Sequence, residues 1–454
     1  MRAKWDIASI RRLGGWSDFP FWHGIGNSPQ MPVDDHRSAG PQVARRSVIY
    51  MWPRLEGMGD GHNNADRFRR AADVTAVFWQ RYGYAASGVW SAPGRVNLIG
   101  EHTDYNDGLC LPIALPQRAW LAAAPRQDDT LRVTSVEMGD TVEVAIDEIA
   151  RGHPSGWAAY LAGVLWAMRQ AGLTVGGLDA VLASDVPIGA GLSSSAAIEG
   201  CLAVAASDIF GLGQTGDEVG RAKLASICQQ AENEIAGAPT GGMDQTICLR
   251  ARAGQAALID FSQRPSTVSF VPFDPDADAM ALLVINTNAK HALVDGQYGD
   301  RRAACRAAAQ AIGVASLRQV EVADLAKTLA GLPDGDLVRV TRHVVTEIAR
   351  VRLAAQAAQA RDWAAFGELM NQSHASLRDD YRVSSPELDA ACQVAVQGGA
   401  VGARMTGGGF GGSAIALIKA DLVPALAVAL ATRFQAEGWA MPDIFPAQAG
   451  AAAG

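Results

Sequence analysis

The apolar positions of this chain change period from segment to segment, and those changes mark its elements. From Asp66 to Tyr82 they recur every three to four residues, which predicts a helix. Gly88–Trp90 and Val96–Ile99 read as short strands around a Pro93-Gly94-Arg95 turn, and Asn106-Asp107-Gly108 as a hairpin-type turn. Leu131–Ser135 and Thr141–Ile146 alternate as strands. Trp157–Ala171 reads as a buried helix, Leu178–Ala183 as a strand, and Leu192–Asp208 and Gly220–Ile235 as helices. Strands follow at Gln255–Asp260, Val268–Val271 and Ala281–Asn286. The second half is more helical, over Gly299–Ile312, Asp336–Ala360, Trp363–Arg378, Pro386–Gly398 and Asp421–Glu437. Ala400–Met405 and Ser413–Ile418 read as two strands joined by glycines.

This interleaving places the chain in the α/β or α+β class. Its 454 residues suffice for two or three domains, with a break near Phe273-Asp274-Pro275-Asp276. Residues 1–57 carry four of the eleven tryptophans yet keep no sustained period, so they are expected to be a disordered extension, with Met58 a candidate start. Ala447–Gly454 is expected to be a disordered small-residue tail.

Composition narrows the function. A net charge of -8 argues against non-specific nucleic-acid binding, while leaving room for a local anion site. The six cysteines are scattered with no C-x-x-C pair, which suits reduced thiols in a cytoplasmic protein. No apolar run reaches the roughly 18 residues of a membrane span.

Four segments carry chemistry. In V-P-I-G-A-G-L-S-S-S-A-A, Gly189, Ala190, Gly191, Leu192, Ser193, Ser194 and Ser195 lead from a predicted strand into a predicted helix. Glycines admit close backbone approach, and a helix start favours an anion, so this segment reads as a phosphate site rather than a plain serine cap. No lysine follows Gly191, which excludes a Walker loop. Gly407, Gly409 and Gly412, in T-G-G-G-F-G-G, fit a dinucleotide fingerprint by spacing, but a strand follows where a helix is required. A tight turn and a loop beside the phosphate site both remain open for them.

In A-E-N-E-I-A-G-A-P-T-G-G-M-D-Q, Asp244 reads as a loop residue after a helix, and Glu232 and Glu234 as solvated. In S-A-P-G-R-V-N-L-I-G-E-H-T-D-Y-N-D-G, the acids are one residue short of a calcium-loop spacing, and His102 lacks a partner at zinc-ligand spacing.

Taken together and in this order, the four segments resemble the GHMP kinase superfamily, and galactokinases within it, over roughly residues 60 to 440. The resemblance implies an α+β, two-domain fold. The expected boundaries are 58–275 for an N-terminal domain like ribosomal protein S5, with a left-handed βαβ unit, and 276–440 for a ferredoxin-like C-terminal domain; 441–454 is the tail. It implies ATP-dependent phosphorylation of the anomeric hydroxyl of galactose, with Asp244 as base and Arg95 beside it. It further implies that Glu101, His102, Asp104 and Tyr298 contact the sugar, and that Gly189–Ser195 cradles the ATP phosphates with support from Gly407–Gly409. Ser195 and Glu232 match magnesium ligands. The expected partners are galactose and ATP, with no nucleic acid and no membrane, on a cytoplasmic chain that is a monomer rather than an oligomer. One departure stands out: Gly242 occupies a position where galactokinases more often carry isoleucine, and a glycine there is expected to loosen the loop beside Asp244. The alternatives are a kinase for a related sugar such as N-acetylgalactosamine and a non-catalytic sugar sensor. The sensors lose a Ser-Ala pair in the phosphate loop, and Ser195-Ala196 is intact here.

Overall fold

The computed structural model describes residues 60–289, 294–333 and 335–454, so the expectations for residues 1–57 and for Met58 fall outside it. Helix α1 (Asp60–Tyr82) leads into β1 (Gly88–Asn97), β2 (Leu109–Cys110), β3 (Pro112–Pro125), β4 (Thr130–Ser135) and β5 (Thr141–Ala145). Next come α2 (Ala158–Gln170), β6 (Leu178–Ser184), α3 (Ser194–Ile209), α4 (Glu218–Ala231) and α5 (Met243–Arg250). They are followed by β7 (Gln255–Asp260), β8 (Thr267–Pro272) and β9 (Met280–Asn286). The remainder comprises α6 (Val294–Ile312), α7 (Leu325–Ala330), α8 (Asp336–Ala360), α9 (Trp363–Ser376), α10 (Pro386–Gln397), β10 (Gly402–Thr406), β11 (Ser413–Lys419), α11 (Val423–Glu437) and β12 (Asp443–Pro446).

Three sheets organise these elements. The first runs β1-β3-β6-β4-β5, with β4 and β6 parallel and joined through β5 and α2. Its strand β3 is buried almost throughout, because α1 packs Val74 and Phe78 against Trp120 and Ala122 while α3 covers the opposite face. A strand covered on both faces loses the alternation that identifies strands, and β3 is absent from the sequence expectation for that reason. The second sheet, β10-β11-β9-β12, is antiparallel and takes every strand from Met280 onward. The third is β2-β7-β8. The mixture of helix and sheet is the α+β class expected.

Four expectations are corrected. Pro93-Gly94-Arg95 is a bulge inside one continuous strand. A side chain on Gly94 would meet the Leu192 carbonyl at 2.8 Å, and the Arg95 amide donates to that same oxygen at 3.0 Å, so the bulge presses β1 onto the predicted phosphate loop. Asn106-Asp107-Gly108 does not join paired strands, because β1 pairs with β3 across the whole loop 98–111 and β2 pairs with β7. Asp244 lies in the first turn of α5 rather than in a loop. Finally, residues 447–454 are fixed. The main chain of Gly450 donates to Ala114, that of Ala453 to Cys248, and Ser91 and Gly454 exchange a pair of backbone hydrogen bonds.

Candidate active site

Loop 98–111 is shaped by its own side chains. Gly100 (φ 105°), His102 (φ 61°) and Asp107 (φ 56°) all take left-handed backbone. For His102 this is a conformation that L-residues adopt at a cost of about 1–2 kcal/mol. Thr103 repays part of that cost by donating to the carbonyls of Gly100 and Leu109, and Asn106 by donating to the carbonyl of His102 at 2.9 Å. The loop thereby turns Glu101, His102 and Asp104 inward, all buried.

The other segments converge on the same place. Arg95, Glu101, His102, Asp104, Glu232, Asp244, Tyr298, Gly407 and Gly408 line one cavity together with Gly100, Pro239, Thr240 and Met243. Arg95 Nε donates to Asp244 Oδ1 at 2.8 Å, its Nη2 to Oδ2 at 2.9 Å, and its Nη1 to the Gly191 carbonyl at 2.6 Å. Ser193, in the N-cap position of α3 with φ 60°, spends its hydroxyl on Asp244 Oδ2 at 2.5 Å rather than on the helix. This is not the behaviour of a plain cap. The first amides of α3 have no intrahelical acceptor.

The glycine loop after β10 lies against the phosphate loop. A side chain on Gly407 (φ 83°) would meet the Gly191 carbonyl at 2.7 Å, and Ser413 donates to Ala190. Of the two readings left open for this loop, it is the one beside the phosphate loop. Gly409 is not among the residues lining the cavity and packs tightly by the Val383 carbonyl. Gly189 is exposed at the tip.

Charge in the cavity is mostly negative. Burial, then the neighbouring Asp244 charge, pushes the Asp104 carboxyl up to about 6 and that of Glu232 up to about 7. Glu232 is therefore buried rather than solvated, at the start of the π-helical turn Glu232–Ala236 that follows α4, whereas Glu234 is exposed. Ser195 lies close enough to Glu232 to hold its carboxyl down somewhat against burial, and Gln245 bridges Glu232 and the buried Glu199.

Glu101 is held on every side. Its Oε2 accepts from Asn97 at 2.8 Å and pairs with Arg404, and its Oε1 accepts from the Gly407 amide at 2.9 Å. It thus ties loop 98–111 to β10. Glu347 of α8 adds a second tie, accepting from the Gly100 amide and Ser373. Burial pushes its carboxyl up, but Arg350, His343 and Arg404 outweigh burial and bring it down to about 2. Burial and then the charge of His343 lower His102 to about 3, so the ring is neutral. Gln245, Glu199, Arg404, Glu347 and Tyr105 were not expected from the sequence. A charged residue in the middle of an apolar strand, as Arg404 is in G-A-R-M-T, was the available signal for one of them.

Comparison with known proteins follows this geometry. The N-terminal domain of GHMP kinases matches residues 159–252 and their C-terminal domain residues 354–436. Mevalonate kinase of L. major shares the fold, with TM-score 0.54 at 19% identity over 81% of this chain and 97% of its own. The fold is that of the GHMP kinases.

The galactose-binding signature of galactokinases covers residues 76–125. A galactokinase of Streptomyces coelicolor is 48% identical over 382 residues, 83% of this chain and 96% of its own. One of Mycobacterium tuberculosis is 44% identical over 73% of this chain and 89% of its own. A Lactococcus lactis galactokinase, solved with galactose, superposes with TM-score 0.77 at 31% identity, covering 84% of this chain and 98% of that one. The chain belongs to the galactokinase family.

Proposed function

We propose that the chain transfers the γ-phosphoryl group of ATP to the anomeric hydroxyl of D-galactose, giving galactose 1-phosphate and ADP. The observation that carries this reading is the Arg95–Asp244 pair, which lines one cavity with the sugar-signature loop and is hydrogen-bonded to Gly191 and Ser193 of the 189–195 loop behind it. Phosphoryl transfer depends on positioning and charge more than on covalent chemistry. Asp244 would accept the hydroxyl proton, with Arg95 and Ser193 fixing its orientation. His102, Asp104 and Tyr298 offer polar atoms to the sugar hydroxyls. Glu101, whose oxygens are taken by protein donors, would act chiefly by shaping the pocket. Gly189–Ser195 and the start of α3 would hold the phosphates, with Gly407 and Gly408 as the opposite wall and Gly409 as their support.

Among the described residues, no group of three or more His, Cys, Asp and Glu converges as a metal centre. Magnesium bound with a nucleotide needs only one or two protein ligands. The Ser195 hydroxyl beside a Glu232 carboxyl raised by burial and then by Asp244 suits that ion. Ser195 and Glu232 would hold it, and it would neutralise phosphate charge.

We further read the chain as a cytoplasmic monomer, with domains at 58–275 and 276–440. No described helix is long and apolar enough to cross a membrane, and the six cysteines are buried and unpaired, which supports a reducing compartment. An ADP-release assay with galactose, N-acetylgalactosamine and glucose tests the activity. Galactose should be preferred; preference for the N-acetyl sugar, or no ADP with any sugar, would overturn the reading.

A further inference from the structure

Behind the sugar pocket lies a chain of hydrogen bonds that the proposed mechanism does not use. Cys305 Sγ is 3.1 Å from the Tyr381 hydroxyl, which is 2.8 Å from the Tyr105 hydroxyl, which is 2.8 Å from His102 Nδ1. At the far end of the ring, His102 Nε2 is buried in the cavity lining; the Gly408 backbone lies near the ring, but Nε2 makes no hydrogen bond of normal geometry.

Proton counting allows two directions. Each phenol carries one proton, so both hydroxyls must point the same way along the chain. If they point away from the histidine, the imidazole N–H donates to Tyr105 and the Tyr381 proton ends on sulfur, a weak acceptor. If they point toward it, the thiol donates to Tyr381, Tyr381 to Tyr105, and the last proton lands on an imidazole nitrogen, a strong acceptor. A phenol is also a better donor than acceptor, because its lone pair is drawn into the ring. Both considerations favour the second direction.

We propose that Tyr105, backed by Tyr381, sets the tautomer of His102, so that the ring carries its proton on Nε2 and presents an N–H donor to a hydroxyl oxygen of the sugar. The neutral state of the ring is what makes a tautomer choice necessary, since the charged form would donate from both nitrogens. The ring cannot escape the choice by turning. Its backbone is held left-handed, and Tyr381 and Tyr298 pack on it with centroids 4.7 and 5.3 Å away. Tyr105 and Tyr381 are thus positioning residues for sugar specificity. The inference rests on galactose as the substrate of this pocket.

The test has two arms. Protein labelled with ¹⁵N-histidine should show, for the resonance lost in His102→Gln, a pyridine-type Nδ1 and a pyrrole-type Nε2. The reverse pattern overturns the proposal, and this arm needs neither turnover nor a Tyr105 variant. In the second arm, Tyr105→Phe should mix the two tautomers and raise KM for galactose roughly ten-fold, with KM for ATP unchanged. Tyr381→Phe should do the same more weakly. An unchanged galactose KM in folded Tyr105→Phe would also overturn it. Failure of the unmodified enzyme to phosphorylate galactose would instead sink the proposed function.

Discussion

Arg95 meets Asp244 side-on, with Nε 2.8 Å from Oδ1 and Nη2 2.9 Å from Oδ2, while Ser193 occupies Oδ2 from the opposite element. Three donors from β1 and the phosphate loop therefore hold one carboxylate in one orientation. Asp244→Asn keeps the shape but removes the base, and kcat should fall by roughly 10²–10⁴-fold. Galactose binding, measured by calorimetry without ATP, should survive within a few-fold. Near-normal turnover by the folded variant would refute the role. Arg95→Lys should give an intermediate loss, because an ammonium cannot make both contacts of the guanidinium fork.

The two glycines before Met243 do different work. A side chain on Gly241 would run into the Asp104 carboxylate, so Gly241→Ala should displace that carboxylate and raise KM for galactose while leaving KM for ATP alone. Gly242 sits at φ 99°, at the N-cap of α5, and a side chain there would meet the Gln229 amide at 2.8 Å. The sequence suggested that a glycine here loosens the loop; the left-handed backbone makes it the residue that the turn favours. Gly242→Ala should lower stability by about 1 kcal/mol or more, read as a drop in chemical-denaturation midpoint. An alanine variant at either position that matches the parent in these readouts would count against that account.

Residues whose type is dictated by backbone contact or charge were legible from sequence. Arg95, Asp244 and the Gly189–Ser195 loop were singled out through the family resemblance of their motifs; residue by residue the sequence put Arg95 in a turn and Asp244 in a loop, where the structure has a bulge and a helix start. Elements whose signal is cancelled by packing were not legible. Strand β3 is covered on both faces, and α5 has only eight residues, so neither shows a period. The ties made by Arg404 and Glu347 were hidden for another reason. They join segments far apart in the chain, and their meaning appears only when β10 and α8 close around loop 98–111.

Asp104 makes stability depend on pH. Its folded value, about 6, lies above its ordinary 3.8, so the folded state binds the proton more tightly than the unfolded chain. The stability it contributes is fully present below about 4 and is lost as pH rises through about 6. Ionised at pH 8, it sits in a cavity shared with Asp244 and Glu232. Asp104→Asn removes that penalty, on the order of 3 kcal/mol, and should stabilise the ligand-free protein at pH 8 far more than at pH 4.5. It should also weaken galactose binding. Melting temperatures of both proteins at the two pH values check this, and an equal gap at both would show that the carboxyl is not destabilising.

The segment 447–454 should matter to the active site although it never reaches it. Arg118, buried in β3, donates to the carbonyls of Ala451 and Ala452, and its Nε to the Ser91 hydroxyl. Arg221 donates to the carbonyls of Ala453 and Leu249. The segment thus joins β1, which carries Arg95, to α5, which carries Asp244, from behind. Replacing Arg118 with methionine removes the donor to the Ala451 and Ala452 carbonyls and to the Ser91 side chain, at roughly 1 kcal/mol for each lost hydrogen bond. Hydrogen exchange should quicken in 447–454, 88–97 and 243–250 together, with kcat falling more than either KM. Faster exchange confined to 447–454, with kcat unchanged, would mean that the segment only covers the sheet and does not align Arg95 with Asp244.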